Sequence, residues 1–499
     1  MGKIQIDSKS QRLSKSKVVL GLQCEKALYL TIHKRELAGE VSESQQMIFD
    51  QGHEVGIFAQ KQFPDGVLVD AAFNETKKAL EQTKKAIESG ALAIIEATFE
   101  HENVLVKVDI LHRKSAKAAW EIFEVKSSTG VKEVYLQDAS VQLWVVRNAG
   151  LKVKKISIQH INNKCTYPNL DDLFATVDVT EECEELQSEI PKIVSRLQKM
   201  LKGSEPKISI GAHCSDPYPC AFQAHCFSKC KIPEISVFDI PSLKTELKWE
   251  LYNAGKADLR TLDVEDFNVT QRRMIECTVA KKRFVDSSSI LKEIKKWEYP
   301  MSFLDFETIA FAIPRYEGVK AYQQIPFQFS CHIKDSAKAK LKHVEYLHAD
   351  GTDPREQLSK ALAQLIPETS SVIAYNISFE KTVLLKLSDE FPKFSKKLKS
   401  IAERLVDPLP LFRKFVYDPG FCGSFSIKTV APAILGKSAS YEDLVLGDGS
   451  AAQCAFLEMI HADTTKVRKK ELADSLIEYC TKDTMGMVQL VEWMFEVAK

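Results

Sequence analysis

Three features that narrow the function of many proteins are missing from this sequence. Lys plus Arg and Asp plus Glu both number 68, so overall charge gives no sign of a nucleic-acid partner, and any phosphate-binding surface must be a local patch. No run of about 18 uncharged apolar residues occurs, and residues 1–16 are polar and rich in lysine, so we expect a cytoplasmic protein without membrane spans. Internal repeats and Gly/Ser-rich linkers are also absent, which argues against a repeat architecture.

The twelve cysteines do not indicate a disulfide-rich secreted protein. Twelve cysteines would suit a secreted disulfide scaffold only in a much shorter chain than 499 residues. Clustered cysteines therefore indicate a metal site, whereas isolated ones are expected in the core. The isolated cysteines are Cys165, Cys183, Cys277, Cys331, Cys422, Cys454 and Cys480.

Length and hydrophobic spacing predict two α/β domains. A length of 499 residues suggests roughly two to four domains, and 44% hydrophobic with 27% charged residues is the composition of a globular protein. Apolar spacing predicts helices at residues 14–35, 70–89 and 138–147, and strands at 93–99, 104–111 and 118–125. The predicted domains are residues 1–234, a helical connector at 235–299, and a second α/β domain at 300–499 that closes with a helix at 472–497.

A first group of charged residues lies on two of the predicted strands. Asp109 is near the end of one strand, and Glu124 and Lys126 share a face of the next because side chains alternate along a strand. The two acids offer hard oxygen ligands for Mg²⁺ or Mn²⁺, and the ammonium group can orient water and offset phosphate charge. Gln142, on the following helix, could fix the lysine or a water. The alternative is that Asp109 ends a strand and Glu124 and Lys126 form an exposed cross-strand pair.

In this order, the four residues resemble the RecB-type branch of the PD-(D/E)XK nucleases. The resemblance implies a restriction-endonuclease-like fold for the N-terminal domain, with Asp109 and Glu124 as metal ligands and Lys126 and Gln142 in catalysis. That branch often adds a histidine ligand from the preceding helix. The candidate here is His53, and the alternative places His53 on the helix surface.

A cysteine cluster follows this domain. Cys214, Cys220 and Cys226 are regularly spaced among prolines and aromatics, which suggests a compact loop around a metal or cluster, and Cys24 lies on the N-terminal helix. One remote cysteine plus three after the nuclease core resembles the iron-sulfur staple of the AddB and CRISPR-associated RecB-like nucleases. The resemblance implies a [4Fe-4S] cluster on these four cysteines that clamps the two ends of the domain. The alternative is zinc, with Cys214, Cys220, Cys226 and Cys230 as ligands and His213 and His225 as further candidates.

The second group of charged residues lies in the C-terminal domain. Asp305 and Glu307 share one face of an apolar strand, where two carboxylates repel one another unless a cation joins them. A third acid, Glu380, lies near a helix start after another buried strand. Tyr479 and Asp483 are four apart on the last helix and so share a face, where a phenol and a carboxylate can hold water and metal together.

This series resembles the DnaQ-like exonucleases of the DEDD superfamily, tyrosine subtype, over roughly residues 301–499. The resemblance implies a ribonuclease H-like fold and two metal ions about 4 Å apart. By the same resemblance Asp305, Glu307 and Asp483 hold the metals, and Tyr479 positions the attacking water. Glu380 stands where the family has aspartate. Lys428, at a predicted helix start, could contact a phosphate, and the alternative is an ordinary solvated lysine.

The whole arrangement resembles a bacterial family of unassigned function that joins an iron-sulfur RecB-like nuclease to a ribonuclease H-like exonuclease domain. It implies a metal-dependent nuclease that hydrolyses DNA, exonucleolytic and favouring single strands, in repair, recombination or defence. One alternative is an iron-sulfur nucleic-acid-binding scaffold in which one or both sites are degenerate. Another is a 3′–5′ exonuclease that trims RNA, because nothing in the sequence indicates a preference for or against the 2′-hydroxyl.

Overall fold

The computed structural model describes residues 12–72, 74–368 and 371–499 and is mixed α/β, as the sequence predicted. Most of the polar N-terminal stretch considered above lies outside the described residues. The chain divides into two compact units: unit 1 comprises Met1–Lys231 and Phe311–Tyr322, and unit 2 comprises Ile232–Ala310 and Gln323–Lys499. Within the described ranges, none of the helices combines the length and apolar character that a membrane crossing needs.

Unit 1 is built on a seven-stranded mixed sheet. The strand order is β2-β3-β4-β5-β6-β7, and β1 pairs with β4. Its elements are β1 (Leu13–Ser14), α1 (Lys15–Gln23), α2 (Glu25–His33), α3 (Glu43–Gln60), β2 (Val67–Leu68), α4 (Thr76–Glu88), β3 (Ala93–His101), β4 (Val104–His112), β5 (Trp120–Lys126), α5 (Glu133–Asn148), β6 (Val153–Ile161), β7 (Phe174–Asp178), α6 (Thr180–Leu186), α7 (Ile190–Leu201) and α8 (Gln223–Phe227).

The β3–β4 hairpin fixes the face on which Asp109 lies. Glu102 and Asn103 form its two-residue turn, and both have positive φ (46° and 58°), which the common two-residue hairpin turn requires. Val104, Val106 and Val108 on β4 are then buried, so Asp109 points to the other face of the sheet. The three predicted strands are confirmed, and their ends differ by one or two residues.

All three predicted helices of unit 1 have different bounds in the structure. The helix predicted at 70–89 begins at Thr76 and ends at Glu88. The N-terminal helix is interrupted at Cys24, whose backbone is extended (φ −161°, ψ 112°), so α1 and α2 are separate. The helix that carries Gln142 begins at Glu133, five residues earlier than apolar spacing predicted. Gln142 is fully buried on this helix, on the side that packs against the sheet.

Unit 2 contains a five-stranded sheet with the order β11-β10-β9-β12-β13, so β9 is central. β9 pairs antiparallel with β10 and parallel with β12. Its elements are α9 (Thr245–Asn253), α10 (Val269–Ala280), β8 (Phe284–Val285), α11 (Ser287–Ile294), β9 (Met301–Ile309), β10 (Ile325–Lys334), β11 (Lys342–Leu347), α12 (Arg355–Leu365), β12 (Ser371–Ile373), α13 (Ser378–Glu390), α14 (Ser395–Glu403), β13 (Leu405–Val406), α15 (Leu409–Phe415), β14 (Val416–Tyr417), α16 (Ile427–Leu435), α17 (Gly449–Ile460) and α18 (Lys466–Val497).

The residues predicted to form a connector, 235–299, belong to unit 2. Val237, Ile240 and Met274 are fully buried, and they share a core with Phe412 and Tyr417 of the same unit. Burial of this apolar surface stabilises the segment as part of the unit, although its helices are short and charged. Sequence periodicity shows the helices but not the surface on which they pack.

A short segment between β9 and β10, Phe311–Tyr322, belongs to unit 1 although both strands belong to unit 2. Its Ala312, Ile313 and Ala321 are buried with Val55 and Ile161 of unit 1. Polar contacts add to this packing. Arg315 pairs with Glu54 at 3.0 Å, and the Tyr322 hydroxyl donates to the carbonyl of Ser127.

Candidate functional site

Carboxylates from β9 and α18 meet in unit 2. Asp305 and Glu307 lie on one face of β9, and Asp483 and Tyr479 lie on one face of α18, which packs on that strand. Glu307 is 8% exposed, Asp483 7% and Tyr479 3%. The ligand atoms of Asp305, Glu307 and Cys480 lie within 4.8 Å of one another. The structure therefore brings these four predicted site residues together and adds Cys480, which was predicted only as a core residue.

These acids are held in an environment that disfavours their charged forms. Burial raises the pKa of Asp305 well above its usual range, and the neighbouring Asp483, Glu307 and Glu380 raise it further. Burial, followed by the charge of Asp483, raises the pKa of Glu307 to about 8. Burial also raises the pKa of Asp483. The charge of Lys428 offsets these effects only in part for Glu307 and Asp483, and three acids facing one ammonium group are the situation that a bound divalent ion relieves.

Lys428 and Tyr441 complete the surroundings of these acids. The Lys428 ammonium donates to the Tyr479 hydroxyl at 2.7 Å and to the carbonyl of Gly447 at 3.0 Å. The Tyr441 hydroxyl donates to Asp483 at 2.6 Å. Lys428 is thus held at the site rather than free in solvent. Tyr441 was not predicted, because it lies in a loop with no periodic pattern and 42 positions before its partner.

Glu380 is buried in the first turn of α13. Its Oε2 atom has no hydrogen-bond partner, and burial raises the pKa of its carboxyl group to about 7. Asp407 accepts hydrogen bonds from the backbone N–H groups of Asn376 and Ile377 at 3.0 and 3.3 Å, which fixes the turn that leads into α13. Asp407 therefore has a structural role, whereas Glu380 is an unsatisfied buried acid close enough to raise the pKa of Asp305.

A cavity of about 700 Å³ opens onto the acids of unit 2. Besides those acids and Tyr479, its walls carry two cationic side chains, Lys428 and Arg413, and the aromatic side chains of Tyr375 and Phe425. Glu380 is not among the lining residues. The cavity thus combines carboxylates, positive charge and aromatic surface, the groups that contact metal, phosphate and base in nucleic-acid enzymes.

The predicted residues of unit 1 are also brought together. Glu124 accepts from Gln142 at 2.5 Å and from Lys126 at 2.7 Å. Asp109 accepts from the backbone N–H of Val125 at 2.7 Å. Burial, followed by the charge of Glu124, raises the pKa of Asp109 to about 7. Glu124 is 2% exposed, so it does not belong to an exposed cross-strand pair.

Two further residues of this cluster were not predicted. The Lys15 ammonium donates to both carboxylate oxygens of Glu124, at 2.7 and 2.8 Å. Asp138 accepts from Lys126 at 2.8 Å. Burial alone would raise the pKa of Glu124, but the ammonium groups of Lys126 and Lys15 outweigh it and hold that pKa well below its usual range. Lys15 lies 109 positions before Glu124, so no local pattern connects the two.

His53 does not join this cluster. It lies on α3 with an exposed side chain. Among the residues that the structure describes, His53 forms no group of three ligand atoms within 4.8 Å with Asp109 and Glu124. His53 therefore lies on the surface of a helix, which was the alternative to a role as a metal ligand.

The predicted cluster cysteines share one small cavity. Cys24, Cys214, Cys220 and Cys226 all line it, together with His213. The pKa of Cys214 is raised by burial, with smaller contributions from Cys24, Cys226 and Cys230. Among the described residues, no three of these sulfur atoms lie within 4.8 Å of one another. The cysteines are therefore gathered around a common space but not drawn into a tight tetrahedron.

Two comparisons with known proteins apply to parts of the chain. Residues 302–426 match a family model described as a domain of unknown function, DUF2779. That segment contains Asp305, Glu307 and Glu380 and ends before Tyr479 and Asp483. The uncharacterized protein MG366 of Mycoplasma genitalium is 24% identical in a 243-residue alignment that covers 45% of this chain. The aligned part spans about a third of that relative, 36% of its length.

Proposed function

We propose that this protein is a metal-dependent nuclease, with unit 2 a ribonuclease H-like exonuclease domain of the DnaQ type and unit 1 a PD-(D/E)XK nuclease domain of the RecB type. The observation that carries the proposal is the cluster of Asp305, Glu307 and Asp483 beside Tyr479 at the wall of a cavity. The resemblance to DEDD exonucleases names these residues as the metal-binding group, and their proximity supports the proposal. The proposed substrate is DNA, with single strands favoured.

The side chains of unit 2 fit a divalent metal. The donor set is all carboxylate apart from Cys480, which suits Mg²⁺ or Mn²⁺. Oε2 of Glu380 is buried without a hydrogen-bond partner among the described residues, and Glu307 belongs to the group of ligand atoms within 4.8 Å of one another. Asp305, Glu307 and Asp483 would hold the ions, which when bound supply Lewis acidity and an activated water.

The remaining groups suit the binding and orientation of a nucleic-acid strand. Lys428 donates to the phenol oxygen of Tyr479, and the phenol in turn donates to Asp483, so Tyr479 is held beside the proposed metal ligands, where it would position a water. Lys428 and Arg413 place positive charge on the cavity wall, where a phosphate group can bind. Tyr375 and Phe425 offer aromatic faces on which unpaired bases can stack, which favours single strands.

In unit 1 we propose a second cleavage site at Asp109, Glu124 and Lys126. Gln142 supports this assignment, because its Oε1 is buried without a partner while its amide nitrogen holds Glu124. That oxygen is an acceptor for a water, and Asp109 with Glu124 offers carboxylate ligands to Mg²⁺ or Mn²⁺. Lys126 would offset charge on the scissile phosphate.

We also propose that Cys24, Cys214, Cys220 and Cys226 bind a [4Fe-4S] cluster. All four cysteines line one cavity, and the resemblance to the iron-sulfur RecB-like nucleases implies these four as ligands. Protein purified without oxygen should show thiolate-to-iron absorption, and one zinc per chain without that absorption would overturn the assignment.

The function is tested by a cleavage panel of single- and double-stranded DNA and RNA, labelled at either end, with and without Mn²⁺. We expect end-dependent cleavage of single-stranded DNA that needs Mn²⁺ or Mg²⁺. The double variant Lys126→Ala with Asp305→Ala should lose it. The control is Lys114→Ala with Glu478→Gln, two exposed residues near the respective sites. If the first variant degrades every substrate as well as the parent does, the catalytic assignment is wrong.

The unpaired Glu380 motivates a second candidate function. If glutamate at this position has cost unit 2 its activity, the protein is an iron-sulfur scaffold that binds nucleic acid without cleaving it. Such a scaffold binds DNA but gains no cleavage on titration with Mg²⁺ or Mn²⁺. The variant Glu380→Asp then discriminates further, because it should raise cleavage only if the remaining site is intact.

A further inference from the structure

Cys480 is a fully buried cysteine whose sulfur faces acids instead of apolar side chains. It is 0% exposed and lies on α18 between Tyr479 and Asp483. Its Sγ is 3.7 Å from Oδ2 of Asp305 and belongs with Asp305 and Glu307 to the group of ligand atoms within 4.8 Å of one another. No step of the proposed cleavage uses this thiol.

Comparison with Cys331 shows that burial alone does not explain this position. Cys331 is also 0% exposed, on β10 of the same unit, and packs in a core with Leu304, Phe306, Phe329 and Leu358. Its Sγ contacts a backbone carbonyl, that of His332. The sulfur of Cys480 also contacts a backbone carbonyl, that of Asp305 at 4.0 Å, but it additionally contacts the Asp305 carboxylate. Cys331 is therefore an ordinary small core residue, whereas Cys480 has an acid beside its sulfur.

The spacing around Cys480 matches that of a mixed sulfur and oxygen metal site. With a zinc–sulfur bond of about 2.3 Å and a zinc–oxygen bond of about 2.1 Å, tetrahedral geometry separates sulfur from oxygen by about 3.6 Å. The observed separation between Cys480 and Asp305 is 3.7 Å. Glu307 belongs to the same group of ligand atoms, and Asp483 lies one helical turn after Cys480. The site thus offers one sulfur and two carboxylates within 4.8 Å, with the carboxylate of Asp483 beside them.

We propose that Cys480 makes this carboxylate site a binding site for a thiophilic divalent cation, Zn²⁺ in the cell, which binds through sulfur and excludes Mg²⁺ and Mn²⁺. A metal–sulfur bond forms, the thiol proton passes to water, and no electrons are transferred. Mg²⁺ and Mn²⁺ prefer oxygen ligands and would use the carboxylates without the sulfur. Zinc would then inhibit cleavage supported by either ion. The inference rests on the metal site of the proposed function but not on the cleavage reaction.

The test is a cadmium titration of the full chain, followed through thiolate-to-cadmium absorption in the ultraviolet. The variants are Cys480→Ser, which keeps a hydrogen-bond donor, Cys480→Ala, and the matched control Cys331→Ala. The other cysteines contribute equally to all samples and cancel in difference spectra. We expect both Cys480 variants, but not the control, to lose the absorption of one thiolate. Removing a residue that only hydrogen-bonds to a metal ligand typically costs roughly 10–100-fold in metal affinity. Removing a ligand should cost at least as much, so the Cys480 variants should bind cadmium and zinc at this site at least about 10-fold more weakly than the parent.

Manganese binding, measured by electron paramagnetic resonance, separates ligation from support of the fold. Cys480→Ser should bind Mn²⁺ as tightly as the parent. Difference spectra that are the same for the parent and Cys480→Ser would overturn the inference, and so would equal losses of Mn²⁺ and Cd²⁺ affinity. If the unmodified protein shows the cadmium signal but cleaves no substrate, the proposed nuclease function is refuted and the role of Cys480 is not. A parent that cleaves but lacks the signal refutes only the role of Cys480.

Discussion

The acids of unit 2 make a specific prediction about stability, pH and metal. The carboxyl group of Glu307 has an ordinary pKa near 4.5 in the unfolded chain and a pKa of about 8 in the folded one. The folded state therefore holds more protons between these pH values. The contribution of Glu307 to the free energy of unfolding is therefore greatest below about pH 4.5, falls as the pH rises, and is gone above about pH 8. Asp305, whose pKa is raised by the same causes, shifts stability in the same direction.

The expected size follows from the geometry. Two full charges 4.8 Å apart, the largest separation among the ligand atoms of Asp305 and Glu307, repel by about 3.5 kcal/mol at an effective dielectric constant of about 20. Asp305→Asn removes this repulsion, so metal-free variant protein should melt above the parent near pH 9 and close to it near pH 5. Mn²⁺ at one hundred times its Kd adds about 2.7 kcal/mol to the parent. For a unit of this size that raises Tm by about 5–11 °C, at about 2–4 °C per kcal/mol.

The assay is thermal unfolding of the full chain at a series of pH values, with EDTA or with excess Mn²⁺. Glu478→Gln is the matched control, because Glu478 is exposed on α18 next to Tyr479. The control should keep the parent's pH dependence and its response to Mn²⁺, and Asp305→Asn should lose most of both. If Asp305→Asn melts below the parent near pH 9 without metal, or gains as much from Mn²⁺, the carboxylates do not form a metal site.

Three further predictions concern the other groups. Lys15→Ala leaves Glu124 and Asp138 with one ammonium group fewer. It should lower the free energy of unfolding of the metal-free protein, measured with urea, by about 3–5 kcal/mol. A change within experimental error would mean that the Lys15 contact is not formed in solution. Tyr479→Phe should lower kcat by about 10²-fold or more while Mn²⁺ affinity stays the same, and an unchanged kcat would exclude a role in orienting water. Cys24→Ser should abolish the iron absorption of protein purified without oxygen. The control is Cys183→Ser, at a buried cysteine remote from the cluster in sequence, and it should retain the absorption. Equal absorption in both variants would exclude Cys24 as a ligand.

Local geometry made part of this structure predictable. Asp305 with Glu307, and Tyr479 with Asp483, share faces because strands and helices repeat every two and every 3.6 residues, and those periods can be read from spacing alone. The contacts of Lys15 with Glu124 and of Tyr441 with Asp483 could not be predicted, because they join distant segments and depend on how elements pack. The interruption of the first helix at Cys24 was missed for a related reason, since apolar spacing continues across it. Which residues share a face can therefore be predicted from local sequence, whereas the residue that contacts each acid from a distant segment depends on the tertiary structure.

The segment Phe311–Tyr322 has a consequence for synthesis of the chain. The core formed by Val55 and Ile161 of unit 1 is completed by Ala312, Ile313 and Ala321, which emerge from the ribosome about 90 residues after Lys231. At a translation rate of about 5–20 residues per second, that apolar surface stays exposed for roughly 5–20 s before these residues are synthesised. Folding of unit 1 therefore cannot finish as an N-terminal event, and a gene cut after residue 234 or 300 would encode a first half that cannot bury this surface.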